Sequence, residues 1–421
     1  MRFRLPKIEF GDRNKERPPA HPVVTYYLII IPATLLTLFG LVMGFSASAV
    51  LHISQGESPY SAFLRQLGII VISTLLAACV HMINPWWWYK CAPFIFVAAL
   101  LAQLLVFTPL GREVGGNRNW IYLPILGQAQ PSEFMKLAII IFLARLVTRT
   151  GARLHDWKQM AATVGLAFVI AVGSIMLGRD LGTALVVMVS CVGALWVARL
   201  PAKWFGWAVV VSIPVMVLLV AMNPSRIRRV LDILPWRQSV RNLSAPEQID
   251  HALWALGSGG LTGLGPGASR EKWNYLQEGH TDFILAILGE EFGLLGTLSV
   301  LACIAVLVWA LVRLCMTTTS PFVAVSSAGI ASWIGIQAII NIFSVTKIGP
   351  VIGVPLPLVS YGGSSFFFTA LALGVVAGFA RDEAGMGRWG RPDESSAGRD
   401  PRVLPKRRPA DKVTKRSRQV R

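Results

Sequence analysis

The stretch Glu278-Gly279-His280-Thr281-Asp282-Phe283-Ile284-Leu285-Ala286-Ile287-Leu288 passes from a polar segment directly into an apolar run. A carboxylate, Asp282, stands at the rim of that run, and Glu290 and Glu291 lie one to two turns inside it. An ionisable side chain in the hydrocarbon layer costs about 2.5–3.5 kcal/mol or more, so such groups face a wet cavity or a partner and mark function by default. The stretch reads as the end of a membrane helix with a site built on it.

The rest of the chain agrees. Its 421 residues are 54% hydrophobic, too apolar for a soluble globular protein. A helix needs about 20 apolar residues to cross the bilayer core. Ten such runs are predicted, at about 24–50, 65–83, 89–107, 133–147, 160–177, 181–198, 204–222, 283–312, 320–343 and 362–380. The fold class is an all-α polytopic membrane protein. It divides into a basic N-terminal segment (1–23), a ten-span membrane domain (24–381) with a large extracytoplasmic loop (223–282), and a disordered basic tail (382–421).

Lys and Arg set the orientation. The N-terminal segment, the connection with Arg149, Arg153 and Lys158, the turn with Arg199 and Lys203, and the tail are all basic. With ten spans they share one side, the cytoplasm, which places both termini inside. The first apolar run is too long for a cleaved signal peptide and reads as an anchor. Most of the net charge of +18 comes from these cytosolic parts. Topogenic charge attracted to anionic lipid accounts for it, so no nucleic-acid partner is expected. The five cysteines show no metal-ligand spacing and read as packing residues.

The opposite side should be poor in cations and is not. Arg112, Arg118, Arg179, Arg226, Arg228, Arg229, Arg237, Arg241, Arg270, Lys272 and Lys347 all fall there. Long loops translocate regardless of charge, but Arg118, Arg179 and Lys347 lie in short ones. Guanidinium groups hold phosphate oxygens bidentately. An outward-facing pyrophosphate would explain them; pairing with Asp180 and Glu113, or simple solvation, is the alternative. The long loop predicts an amphipathic interfacial helix around Ile227, Val230, Leu231 and Leu234. A second helix is expected from a capping box at Ser244 and Glu247 to Gly257. The glycine-rich run Gly259 to Gly267 reads as a flexible turn more readily than as a phosphate cradle.

Polar groups gather at the outer ends of other spans. Gln130-Pro131-Ser132-Glu133-Phe134-Met135-Lys136 opens the fourth, with Pro131 in the first turn. Glu133 and Lys136 are three apart and share a helix face. They form a structural ion pair, line a site, or do both. Gly178-Arg179-Asp180-Leu181-Gly182-Thr183 places a cation, a carboxylate and a hydroxyl between spans five and six. Asn117-Arg118-Asn119-Trp120 lies on the same side, where Trp120 is an interfacial anchor or a sugar platform. Asn341 and Lys347 lead into Gly353-Val354-Pro355-Leu356-Pro357-Leu358-Val359-Ser360-Tyr361-Gly362-Gly363-Ser364-Ser365, a broken, re-entrant-like passage. Irregular backbone at membrane depth needs protein or a watery cavity around it.

Together with His280-Thr281-Asp282-Phe283 and Gly289-Glu290-Glu291-Phe292-Gly293, these motifs occur in an order that resembles the SEDS family (shape, elongation, division and sporulation) of bacterial peptidoglycan glycosyltransferases. The resemblance covers about 24–381. It implies a ten-span enzyme that polymerises lipid II outside the bacterial cytoplasmic membrane, beside a class B penicillin-binding protein transpeptidase. It puts the catalytic carboxylate on Asp282, further polar cavity residues on Glu133, Lys136 and Asp180, and the outer-loop tryptophan on Trp120. Arg118, Arg179, Thr183, His280, Thr281, Lys347, Ser360 and Ser364 complete the expected substrate-binding set. A divalent cation, Mg or Mn, is implied by the family, with no site defined by spacing. The chain departs from the usual motifs at Leu276-Gln277-Glu278-Gly279, Gly178-Arg179 and Asn117-Arg118-Asn119-Trp120. The opening span and the long charged tail are more similar to the division-type members, with septal partners, than to the elongation type.

Such chemistry needs a base at the attacking sugar hydroxyl and cations at the departing phosphate. Asp282 fits the first role; Arg118, Arg179, Lys136 and the loop arginines fit the second. A lipid flippase would carry charges on into the cytosolic half, and a non-catalytic scaffold would leave the polar cavity unexplained.

Overall fold

The computed structural model of the chain describes residues 21–386, apart from 55, 57, 115–116, 124–126, 152–153, 155, 199, 222–247, 274–275, 277–278 and 280. The N-terminal basic segment, the helix expected around 227–234, the capping box at Ser244 and Glu247, His280 and the tail lie outside the described residues.

The first half of the chain forms α1 (Pro22–Ser54), α2 (Pro59–His81), α3 (Pro85–Leu104), α4 (Pro131–Thr150), α5 (Trp157–Leu177), α6 (Leu181–Val197) and α7 (Ala202–Ala221). The second half forms α8 (Gln248–Ser258), α9 (Ile284–Thr317), α10 (Pro321–Val345) and α11 (Gly363–Glu383). Prolines occupy the first turn of α2, α3, α4 and α10. There the ring's fixed φ suits the helix and the missing N–H would have no partner anyway. Asn84 caps α3 by accepting from the Trp86 N–H at 2.8 Å.

Seven of the described helices (α1, α2, α3, α5, α9, α10 and α11) are long and apolar enough to cross a membrane. The protein is a polytopic helical membrane protein. α6 is apolar but shorter, and α4 carries Glu133, Lys136, Arg145 and Arg149 among its apolar residues. α10 is the central post, packed against α4, α6 and α9. Its apolar window is 78% buried against 17% for α2, so α2 is peripheral. Leu64, Leu75, Phe94 and Val169 are correspondingly exposed on the outer helices, facing the lipid.

One element departs from the all-α expectation. Between α3 and α4 lies a three-stranded antiparallel sheet, β1 (Gly111–Val114), β2 (Asn117–Leu123) and β3 (Gly127–Ala129), in the order β1-β2-β3. Arg112 pairs with Trp120, and Ile121 pairs with Ala129. The ladder satisfies backbone groups that an irregular loop at the membrane surface would leave open. Within the long loop, α8 stands where the second loop helix is expected.

α9 is not straight. Gly293 breaks it with φ 66° and ψ −165°. A break orphans carbonyls before it and N–H groups after it. The glycine run fills the gap. Leu264 and Gly265 donate to the carbonyls of Glu290 and Glu291 at 2.9 and 3.0 Å. Leu294 and Leu295 donate to the carbonyls of Gly260 and Leu261 at 2.9 and 3.1 Å. A Cβ on Gly263 would sit 2.2 Å from the Glu291 carbonyl oxygen, which is why a side chain is excluded there. The run is not a free turn; it plugs a helix break.

Candidate active site

Asp282 precedes Phe283, the residue that caps α9, and its side chain is half-buried. Its position is fixed through the backbone. The Asn341 side chain, on α10, donates to the Asp282 carbonyl and to the Val354 carbonyl, both at 2.8 Å. One amide therefore joins the head of α9 to the passage between α10 and α11. That passage is non-helical from Val351 onward, and Val354, Leu356, Leu358, Val359 and Ser360 are buried in it. Its own turn is closed by the Leu356 N–H, which donates to Ser360 Oγ at 2.7 Å. Gly353 lies beneath the Asp282 carboxylate: a Cβ built there would come 3.3 Å from Oδ2. At the end of the passage, burial holds the Tyr361 phenol above its ordinary range, with Arg65 pulling the other way.

Deeper in the bundle, Glu133 and Lys136 pair at 2.7 Å, their side chains 3% and 2% exposed. Lys136 Nζ also donates to Gln337 Oε1 at 3.0 Å and lies 4.7 Å from the centre of the Trp333 ring. The Trp333 indole donates to the same Gln337 oxygen at 2.7 Å. Gln337 Nε2 donates to the Pro355 carbonyl at 2.9 Å. Through Gln337 the ion pair is joined to the same broken passage that runs under Asp282. Gln337 and the Trp333 ring occupy the lysine side of this dry pair, while Lys136 itself is what holds the Glu133 carboxylate.

Asp180 is a second centre. Its Oδ1 accepts from the Thr183 N–H at 3.1 Å and so caps α6. Its Oδ2 accepts from Asn119 Nδ2 at 2.9 Å, Gln130 Nε2 at 2.6 Å and Ser132 Oγ at 3.2 Å. One carboxylate thereby fastens β2, α4 and α6. The Gln130 N–H donates to Ser364 Oγ at 3.2 Å, which ties this group to α11. The two centres meet where Gly182 packs on Ile352 and Val354.

The remaining expected residues are spread around these centres. Arg118 donates through Nε to the Val106 carbonyl at 3.1 Å, and through a terminal nitrogen to those of Phe107 and Thr108 at 3.5 and 3.4 Å. Arg179 is exposed, at a left-handed φ of 62°. Thr281 and Trp120 are partly buried, Trp120 on β2. Lys347, also left-handed at φ 60°, points its Nζ to within 3.8 Å of Asp250 Oδ1. Lys272, read as a loop cation, is turned inward to Glu291 at 2.8 Å. Sequence reasoning missed Gln337 and Trp333. Gln337 and Asn341, four apart in an apolar helix, are the signal that could have found the amide face.

Among the described residues no group of three His, Cys, Asp or Glu side chains is placed to hold a metal ion.

A helical bundle in the membrane, with a half-buried carboxylate at one helix head and a dry ion pair bracing the broken segment beneath it, defines an integral membrane protein with a carboxylate site. The chain belongs to the SEDS family: the FtsW/RodA/SpoVE profile, described as a cell cycle protein, matches residues 26–384. Over 357 residues it is 35% identical to stage V sporulation protein E of Bacillus subtilis, covering 84% of this chain and 96% of that protein. It is 34% identical over 355 residues to the "Probable peptidoglycan glycosyltransferase FtsW" of Thiomicrospira cyclica, covering 83% and 89%. Among solved structures it is similar to the rod shape determining protein RodA of Thermus thermophilus, with TM-score 0.62 and 27% identity over 85% of this chain and 96% of that one.

Proposed function

We propose that this chain polymerises lipid II, the undecaprenyl-linked precursor, into glycan strands at the outer face of the bacterial cytoplasmic membrane. Family membership and relatives named as peptidoglycan glycosyltransferases support the activity. The observation that carries the reading is Asp282: a half-buried carboxylate at a helix head, over a glycine, with its backbone anchored by Asn341. In the proposed step a sugar hydroxyl attacks the anomeric carbon of a second lipid II. Asp282 takes the hydroxyl proton as the new C–O bond forms. The bond to the lipid pyrophosphate breaks with its electron pair, releasing undecaprenyl diphosphate. Arg118 and Arg179, both exposed, are the cations assigned to the departing phosphates. Glu133, Lys136, Asp180, Thr183, Ser360 and Ser364, all buried, act on the shape of the site, and His280, Thr281 and Lys347 stay within the proposed substrate surface. A Mg or Mn ion enters this proposal only as one carried on the pyrophosphate, because Mg ions are commonly held by one or two carboxylates plus substrate phosphates.

The topology proposed with it has ten spans, both termini in the cytosol and the 223–282 loop outside. The proposed setting is the division septum, beside a class B penicillin-binding protein transpeptidase and other division proteins. A solved structure similar to this chain, with TM-score 0.63 and 27% identity, is titled as a peptidoglycan synthase complex that coordinates polymerization and crosslinking. A flippase needs a polar path to the cytosol. Past Lys136 the buried residues of α4 are Leu137, Ala138, Ile139, Ile140, Ile141, Leu143, Ala144 and Val147, all apolar, which favours the polymerase.

The test is Asp282→Asn in detergent, where translocation is irrelevant. Glycan polymerisation from lipid II is expected to fall by about 10²–10⁴-fold, the usual worth of general-base catalysis, with lipid II binding retained. Full activity in the variant sinks the assignment, and wild-type protein that only moves lipid across sealed vesicles replaces it with the flippase.

A further inference from the structure

Glu290 and Glu291 are buried carboxylates, each 1% exposed, that the step above does not use. Glu290 Oε2 accepts from Ser269 Oγ at 2.6 Å and from the Glu271 N–H at 3.4 Å, and Oε1 from the Arg270 N–H at 2.9 Å. Glu291 Oε1 accepts from Lys272 Nζ at 2.8 Å and from Ser46 Oγ, on α1, at 2.6 Å. Lys272 Nζ completes the group by donating to the Gly267 carbonyl at 2.7 Å and to Ser46 Oγ at 3.0 Å. Two carboxylates on one helix thus hold one short segment, 269–272, and fasten it to α1.

The chain path gives this contact its meaning. From Lys272 the chain runs to Asp282, enters α9 and returns to Glu290 and Glu291. The ties at 269–272 therefore close a loop of about 20 residues, a closure whose entropic cost rises only slowly with length, with Asp282 in its interior. The return arm is rigid. Ile284 through Glu291 are all buried, and the arm ends at the plugged break at Gly293. Charge-assisted hydrogen bonds in a dry setting are among the stronger polar contacts, so closure is tight at the end remote from the carboxylate. Asp282 is thereby held from two sides, by Asn341 at its own carbonyl and by the glutamates at the far end of its helix arm.

We propose that Glu290 and Glu291 are positioning residues for Asp282, a two-carboxylate staple that sets where the base stands against the sugar hydroxyl. The inference rests on the polymerase reading. It makes Lys272 part of the staple and not of the phosphate surface. A misplacement of about 1 Å at reacting atoms costs on the order of 10²-fold in rate, so loosening the staple reads out in turnover.

The experiment uses the full chain in detergent, with lipid II as substrate, and the variants Glu290→Gln, Glu291→Gln and Lys272→Met. Turnover per folded molecule is expected to fall by about 10²-fold while the half-saturating lipid II concentration stays near wild type; the unfolding midpoint falls as well where a buried charge is left uncompensated. Each variant is also made in the Asp282→Asn background. A staple that acts through Asp282 costs nothing further there, because the pair is non-additive. Wild-type turnover in all three variants overturns the staple, as does an undiminished loss on top of Asp282→Asn, or a loss that vanishes when turnover is normalised to folded protein. Where a charged-group variant fails to fold, Ser269→Ala removes one hydroxyl from Glu290 and is judged by the same outcomes. An Asp282→Asn chain as active as wild type breaks the base assignment itself; an inactive one beside fully active staple variants breaks only the staple.

Discussion

The side-chain amide of Asn341 donates to the backbone carbonyl of Asp282 at 2.8 Å and, with the same nitrogen, to that of Val354. A residue in the middle of the bundle thus fixes the level of the proposed base without touching its carboxylate. Asn341→Leu keeps the branching of the side chain and removes the amide donor from both carbonyls. Each such loss costs about 1–3 kcal/mol. The expected outcome is lower turnover at unchanged lipid II affinity, with a drop in unfolding midpoint that Asn341→Gln does not abolish. Turnover equal to wild type in Asn341→Leu would remove this anchor.

Glu133 and Lys136 behave as one unit. Lys136→Met leaves Glu133 buried and uncompensated, and breaking a buried pair from one side costs about 3–5 kcal/mol. The double variant Glu133→Gln, Lys136→Met restores neutrality. Its unfolding midpoint is expected above that of Lys136→Met alone, and thermal denaturation of the four proteins closes the cycle. Strictly additive losses would mean the 2.7 Å contact carries no coupling.

How far the sequence reached depends on how far apart partners lie along the chain. Membrane helices are local: about 20 apolar residues and a proline in the first turn announce α2, α3 and α10. The Glu133–Lys136 pair is also local, three residues apart, and the i, i+3 rule finds it. Gln337 meets Lys136 across 201 positions, so no spacing rule could join them. The sheet had a signal, since Gly115-Gly116 sits between short alternating segments and is a hairpin mark. It was masked because polar and aromatic residues at a membrane surface also read as an interfacial motif. Arg118 and Lys272 illustrate the limit for cations. A charge pattern gives the face on which a cation lies, but only the fold reveals that Arg118 meets the carbonyls of Val106, Phe107 and Thr108 and that Lys272 meets Glu291.

The match to the family ends at residue 384, and α11 ends at Glu383. A chain truncated after Met386 is therefore expected to polymerise lipid II at the wild-type rate. Glycan chain length and rate from equal amounts of inserted protein check this. A truncated protein that inserts normally but makes no polymer would count against the cytosolic placement of the tail.

The sharpest structural test lies at Gly353. Its φ of +78° is a conformation that side chains rarely adopt, and a Cβ there would stand 3.3 Å from Asp282 Oδ2. Gly353→Ala therefore adds two separate insults. The left-handed backbone costs about 1–2 kcal/mol, which appears in the unfolding midpoint. The methyl group crowds the carboxylate from the side of the broken passage, which appears in catalysis. The first effect alone would leave turnover per folded molecule unchanged. The second lowers it, and a displacement of about 1 Å is worth on the order of 10²-fold. Separating the two requires turnover normalised to folded protein, together with lipid II affinity. Reduced turnover at unchanged affinity places the passage against the working face of Asp282. Normal turnover per folded molecule would mean that the carboxylate acts from the other side, and that Gly353 serves the backbone alone.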